Sequence, residues 1–306
     1  MMFQCNMREY MDMLVQSKHA LGSPYQVGER HLHEFDHFIM EKFPDAETIT
    51  KESAEAWAVK RPYEKVGTQR QRITPMRDLA ILMNKLGKNA FVFPIKQLPK
   101  GRRYPVHIYS QQEILAIFEQ VDHCPISHAV PYRHMVMPIL FRMLYCCGLR
   151  PGEARRLKLK DVDLENGILS ILDSKNGNDR LVPMNDELTA MCIQYTKSAH
   201  TLSPESAPFL LGAGNREITN DNLNSNFRRF LRKAGISHGG RGKGPRLYDF
   251  RHTFAVNSLR KMVLDGKDMA AYYPVLQIYM GHSFFKYTEY YLRLTKDMFP
   301  DISAKI

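Results

Sequence analysis

No stretch of the 306-residue chain approaches the roughly 20 consecutive apolar residues that span a bilayer. The Met1 end carries Cys5, Arg8 and Glu9 where a secretory leader would have an apolar core. A soluble cytoplasmic protein without a membrane partner is expected. Cysteine is also scarce: Cys5, Cys124, Cys146, Cys147 and Cys192 are odd in number and contain no C-x-x-C spacing. That pattern supports neither a disulfide framework nor a zinc site. His31, His33 and His37 are the densest histidine group, but they alternate with Leu32, Phe35 and Phe38 in a helical pattern, which reads as an amphipathic helix and not as a metal site. The glycine-rich run from His238 to Pro245 lacks the G-x-x-x-x-G-K-[ST] spacing of a phosphate loop, so it reads as a flexible connection.

What the chain has in excess is positive charge. The formal net charge is +11, which favours a polyanionic partner, because Lys and Arg gain by displacing counterions from phosphates. The excess is uneven. Residues 1–60 hold 6 Lys and Arg against 10 Asp and Glu, whereas residues 61–103 hold 11 against 2. Between Phe91 and Pro105 the prolines Pro94, Pro99 and Pro105 forbid a long helix, and Lys96, Lys100, Arg102 and Arg103 keep the segment solvated. A basic linker over 96–108 therefore divides a unit at 1–95 from one at 109–306.

Apolar residues recur at helical spacing before the linker, through Tyr10, Met13 and Leu14, then Leu32, Phe35, Phe38 and Ile39. They continue through Ala54, Trp57 and Ala58, then Met76, Leu79, Ala80 and Met83. About four helices in a small all-α unit follow. Because the pattern begins within the first few residues, no separate amino-terminal arm-binding domain is expected. After the linker, Ser110 and Glu113 have capping-box spacing ahead of Ile114, Leu115, Ile117 and Phe118. One β interruption stands out in an otherwise helical second unit: Ile168, Ser170 and Leu172 alternate, a turn falls near Asn176-Gly177 or Asn178, and Arg180 to Pro183 returns.

Four scattered segments carry chemistry. They are Cys147-Gly-Leu-Arg150-Pro-Gly-Glu153, Lys175 on the hairpin, Leu247-Tyr248-Asp-Phe-Arg251-His252-Thr-Phe-Ala255, and Met280-Gly-His282-Ser283 followed nine residues beyond the histidine by Tyr291. Alone, each is weak, since an Arg with a Glu three residues on is usually a surface ion pair. Their order and spacing together resemble the tyrosine recombinase (phage integrase) family, over residues 109–296. The resemblance implies a mainly α fold of two domains, a helical core-binding domain and an α-rich catalytic domain with a small antiparallel sheet. It implies a site-specific DNA recombinase that cleaves and rejoins duplex DNA through a 3′-phosphotyrosyl link, with no cofactor, metal or ATP. The implied partners are duplex DNA, a homotetramer of the chain on two recombination sites and accessory DNA-bending proteins.

In that resemblance Arg150 and Arg251 hold the scissile phosphate, Lys175 protonates the leaving 5′-oxygen, His282 hydrogen-bonds a phosphate oxygen or the nucleophile, and Tyr291 attacks. The chemistry agrees, because metal-free phosphodiester cleavage needs a nucleophile, cations fitted to the nonbridging oxygens and an acid for the leaving group. A planar guanidinium bonds two oxygens at once and stays charged. Glu153 reads equally as a residue orienting the site or as a surface charge, and His252 as a support of the site. One position departs from the family pattern: Tyr248 stands where a histidine is usual, and a phenol with an ordinary pKa of about 10 donates a hydrogen bond but is a poor base. Tyr287, Tyr290 and Tyr291 lie close together; on a helix Tyr290 faces away from the other two, and the offset from His282 that the resemblance implies selects Tyr291. Phosphate contacts outside the chemistry are expected from Arg70, Arg72, Arg102 and Arg103, and from Arg228 and Arg246 in the acid-free stretch 228–246. A type IB topoisomerase-like enzyme is the rival in chemistry, and a catalytically silent DNA-binding protein the rival in class.

Overall fold

A computed structural model describes residues 3–100, 104–172, 179–240 and 243–298. The chain divides into two compact units, Met1–Arg103 and Tyr104–Ile306. Lys175 and the hairpin turn, Arg102 and Arg103, and the side chain of Tyr287 lie outside the described residues.

The first unit is built from four helices, α1 (Arg8–Ala20), α2 (Gln26–Lys42), α3 (Lys51–Ala58) and α4 (Val66–Lys85). Thr50 starts α3, its hydroxyl accepting from the Ser53 amide while the Ser53 hydroxyl accepts from that of Thr50. Helix α4 packs against the other three. Their apolar stripes close on Met11, Leu32, Phe35, Trp57, Met76 and Leu79, and burying each such side chain contributes about 1.5–3 kcal/mol. His31 and His33 sit on α2, the first buried and the second stacked on Phe3.

Arg72 also belongs to this interior, which corrects its expected place on a phosphate-binding surface. It is 1% exposed. Its Nε and Nη2 donate to the two Glu64 oxygens at 2.9 and 3.0 Å, Nη2 donates to the Val59 carbonyl at 3.0 Å, and Nη1 to that of Trp57. The Trp57 ring stacks beneath the guanidinium, 4.7 Å from its carbon. A charge cancelled and enclosed in this way cannot reach DNA. Arg70, two residues earlier on α4, is exposed.

The second unit has α5 (Gln111–Asp122), α6 (Arg133–Cys146), α7 (Pro151–Arg156), a sheet, then α8 (Asp186–Ala199), α9 (Asn220–Lys233), α10 (Tyr248–Leu264), α11 (Met269–Tyr279) and α12 (Phe285–Met298). The Ser110–Glu113 capping box opens α5. Helix α6 forms the centre of the main core, where Phe141 meets the rings of Phe227, Phe230 and Phe250. A second apolar cluster joins α10, α11 and α12 through Val256, Leu259, Leu276 and Tyr291.

The sheet is antiparallel in the order β1 (Val162–Asp163), β2 (Ile168–Ile171), β3 (Arg180–Pro183), with Leu169 opposite Val182 and Ile171 opposite Arg180. The alternation expected around Ile168 and Ser170 is present, and the residues between them, Leu169 and Ile171, are the buried face. Strand β1 gave no sequence signal, being two residues long. Arg180 and Val182 are the inward residues of β3. The fold is therefore mainly helical with one small antiparallel sheet, as expected.

Candidate active site

Three chain turns bring the motif residues together. The first precedes α7. Gly148 has φ +60°, and a β-carbon there would meet the Phe254 ring at 2.5 Å, so both the left-handed backbone and the close approach require glycine. The chain then enters α7 with Arg150 at the N-cap and Pro151 in the first turn. Glu153 folds back, one oxygen accepting from the Arg150 amide at 2.9 Å and the other from Arg150 Nη1 at 2.5 Å. Arg150 Nη2 donates to the Gly281 carbonyl at 3.0 Å, which ties this turn to the one before α12.

Glu153 is shared. Arg180 on β3 donates Nη1 and Nη2 to its two oxygens at 3.1 and 2.8 Å, in a pair whose side chains are 5% and 4% exposed. Burial alone would push the Glu153 carboxyl up, yet the hydrogen bonds from Arg180 and then the contacts with Arg150 hold it at about 2. Glu153 is thus an interior carboxylate that orients the site, and the surface alternative is closed. Its one negative charge faces two guanidiniums, so Arg150 is only partly neutralised. For Arg150, burial disfavours the charge, but Glu153 and then Tyr248 more than offset it and its pKa rises.

The second turn opens α10. The Asp249 carboxylate accepts from the Arg246 amide at 2.8 Å, and burial lifts the carboxyl to about 6. Tyr109 braces this end of the helix: its amide donates to the Thr253 hydroxyl at 3.0 Å and its ring stacks on Phe250. Arg251, 1% exposed, donates Nη1 to the Gly148 carbonyl at 2.7 Å and Nη2 to that of Met280. Nη2 also faces His282 Nε2 at 3.3 Å. The Arg251 Nε is buried without a hydrogen-bond partner among the described residues. Nothing among these contacts is a carboxylate, so the guanidinium is held by neutral acceptors and keeps its full charge.

The third turn, Met280-Gly281-His282, leads to α12. His282 turns Nδ1 to the Thr288 hydroxyl at 2.9 Å, and burial followed by the charges of Arg251, Arg150 and Arg180 lowers its pKa to about 3, so the ring is neutral. Tyr291 is 2% exposed, its ring parallel to that of His282 with centroids 5.8 Å apart. Its hydroxyl lies 3.2 Å from His252 Nδ1. Burial holds the phenol pKa well above its ordinary value, and the adjacent Arg251 guanidinium offsets only part of that rise. Tyr290 lies beside this group with its ring centroid 6.2 Å from that of His252.

Arg150, Tyr248, Arg251, His282 and Tyr291 are therefore assembled in one place, from the three turns and the helices α7, α10 and α12 that follow them. Tyr248, 38% exposed, stands at its solvent edge. A hollow of about 250 Å³ adjoins them, lined by Pro151, Asn224, Arg228, His238, Arg246 and Tyr248, so both expected phosphate contacts of this unit border the site. Arg180 was not anticipated. Its only sequence signal is a basic residue in phase with Val182 on a short strand, because its partner Glu153 is 27 residues away.

The sequence model of the phage integrase family matches residues 108–298. The chain is 29% identical over 310 residues to a protein named integrase/recombinase y4rB of Sinorhizobium fredii, covering 99% of this chain and 96% of that one. It is 27% identical over 213 residues to tyrosine recombinase XerD of Pseudomonas putida, covering 69% and 62%. In fold it is similar to XerH site-specific recombinase in a post-cleavage complex with a palindromic difH substrate, at TM-score 0.65, 18% identity and coverage of 98% and 85%. The Tn1549 transposon integrase in complex with circular intermediate DNA gives TM-score 0.64, 18% identity and coverage of 92% and 94%.

Proposed function

The chain belongs to the phage integrase family, and on that premise we propose that it is a site-specific recombinase that cuts duplex DNA with Tyr291 and rejoins it to a second duplex. The observation that carries this reading is the surroundings of the Tyr291 hydroxyl: a buried phenol hydrogen-bonded to His252, with the uncancelled charge of Arg251 beside it. Arg251 and Arg150 take the nonbridging oxygens of the scissile phosphate, where negative charge grows as the fifth oxygen approaches phosphorus. The Tyr291 oxygen bonds to phosphorus, the bond from phosphorus to the 5′-oxygen breaks, and Lys175 supplies that oxygen with a proton. The 3′-phosphotyrosyl ester keeps the energy of the broken linkage, so attack by a second 5′-hydroxyl reseals DNA without ATP or metal.

Tyr248 donates its hydroxyl to the phosphate from the edge of the site. Arg70, Arg102, Arg103, Arg228 and Arg246 serve as backbone contacts that fix the duplex without reading bases. Four copies working on two sites would supply the second duplex. The experiment is to incubate the full chain with sheared DNA of its own source, trap covalent protein–DNA adducts in detergent and sequence the attached ends. The reading expects adducts at one recurrent sequence, joined through Tyr291 and absent in Tyr291→Phe, with strand-exchanged products when two such sites are present. Adducts without exchange would favour the topoisomerase reading, and no adduct would favour a silent DNA-binding protein.

A further inference from the structure

The attacking phenol must lose a proton, and position 248 offers a second phenol where an imidazole would serve better. Helix α10 places another imidazole one turn later. Tyr248 and His252 are four residues apart, so they share a face of the helix, and their ring centroids are 5.0 Å apart. His252 Nδ1 lies 3.2 Å from the Tyr291 hydroxyl, and the two ring centroids are 5.5 Å apart.

The other groups around the hydroxyl are poorly suited to the proton. Arg251 is a cation with no lone pair. His282 directs Nε2 at Arg251 and Nδ1 at Thr288. Tyr248 interacts with the guanidinium of Arg150. Resting on the reading of Tyr291 as nucleophile, we propose that His252 is a catalytic residue: its Nδ1 accepts the Tyr291 proton during attack on phosphorus and returns it when the tyrosine is displaced.

The exchange balances. With its own proton on Nε2, neutral His252 presents the Nδ1 lone pair to the hydroxyl. As the bond from Oη to phosphorus forms and the bond from phosphorus to the 5′-oxygen breaks, the phenol proton passes to Nδ1 and a proton from Lys175 to the departing oxygen. On rejoining, the incoming 5′-hydroxyl gives its proton to Lys175, and the imidazolium reprotonates the leaving phenolate. Burial, and then the charge of Arg251, lower the His252 pKa to about 4 in the free protein, so the lone pair is available throughout the neutral range. A phosphate bound between the two arginines brings negative charge beside the ring, which favours its protonated form during the step.

The test uses single-turnover adduct formation by the full chain on a nicked duplex carrying the recovered cleavage sequence, in two forms. One has the natural 5′-oxygen, and the other has sulfur in its place, whose thiolate departs without a proton. The sulfur substrate should restore Lys175→Ala, because only the leaving group is affected. His252→Gln should be slowed roughly 10²-fold on both substrates. His252→Asn should be slowed similarly, because it keeps a polar group near the Nδ1 position yet takes up no proton. It also serves as the deciding variant if His252→Gln fails to fold or to bind the duplex. Near-normal rates in either variant, or recovery of the His252 variants on sulfur, would overturn the proposal. Adduct formation that survives in Tyr291→Phe would instead remove the nucleophile assignment itself.

Discussion

Arg72 in the first unit and Arg251 in the second are both 1% exposed, and both are rooted in main-chain carbonyls. They differ in one partner. Arg72 faces the Glu64 carboxylate with two hydrogen bonds, and that contact holds the Glu64 carboxyl below the usual range, so the charges cancel inside the unit. Arg251 faces carbonyls and a neutral imidazole, and its charge is left over. Burying an arginine is costly in either case. In the first unit the enclosed pair holds Trp57 and the start of α4 together, and in the second the enclosed cation is positioned for an anion that arrives with the substrate.

The largest expected effect breaks the comparison at its two ends. Arg251→Ala should lower adduct formation about 10³-fold while DNA binding stays within about tenfold, because its charge acts mainly in the transition state. Arg72→Ala should leave the adduct rate per folded molecule unchanged and destabilise the first unit by about 3 kcal/mol, since Glu64 loses both guanidinium hydrogen bonds and keeps only that from the Arg61 amide. Urea unfolding and single-turnover cleavage separate the two outcomes, and Arg72→Met with Glu64→Leu should recover much of the lost stability.

Arg150 lies between these extremes, because Glu153 divides itself between Arg150 and Arg180. Removing Arg180 should hand the whole carboxylate to Arg150 and slow cleavage about 10²-fold without a comparable loss of DNA binding, the scale of losing one charge-stabilising donor. Combining Arg180→Met with Glu153→Gln should recover part of that rate; if the double variant stays as slow as Arg180→Met, the cancellation argument fails.

Smaller effects belong to the exposed edge. Tyr248→Phe should cost about 1 kcal/mol of transition-state stabilisation, roughly fivefold in rate, whereas Tyr248→His should stay close to normal since imidazole can also donate. Replacing both Arg228 and Arg246 with Gln should weaken binding to all duplexes alike and flatten the dependence of log K on log salt by about two contacts. An unchanged slope would remove them from the DNA interface.

What could be read from sequence follows from how local each signal is. The four helices of the first unit and α5 of the second were legible because apolar periodicity and the Ser110–Glu113 cap act within one or two turns. Arg150, Arg251, His282 and Tyr291 were legible through their order and spacing, and the structure assembles them. Arg72 was misread because a basic run reveals charge but not the Glu64 and Trp57 that enclose it. The phase of β2 was ambiguous because Ile168, Leu169, Ile171 and Leu172 put apolar residues on both faces. The Arg180–Glu153 pair and the His252–Tyr291 contact span 27 and 39 residues, so neither spacing nor composition could announce them.

The uncancelled charge of Arg251 is tested most directly by taking the charge off the substrate. If one nonbridging oxygen of the scissile phosphate is replaced by a methyl group, the linkage becomes neutral, its transition state carries one negative charge fewer, and a counter-charge matters far less there. Adduct formation by Arg251→Ala should then approach that of the unaltered chain on the same neutral linkage, while Tyr291→Phe stays inactive. If Arg251→Ala remains about 10³-fold slower on the neutral linkage, as on the natural one, its charge is not what the site uses.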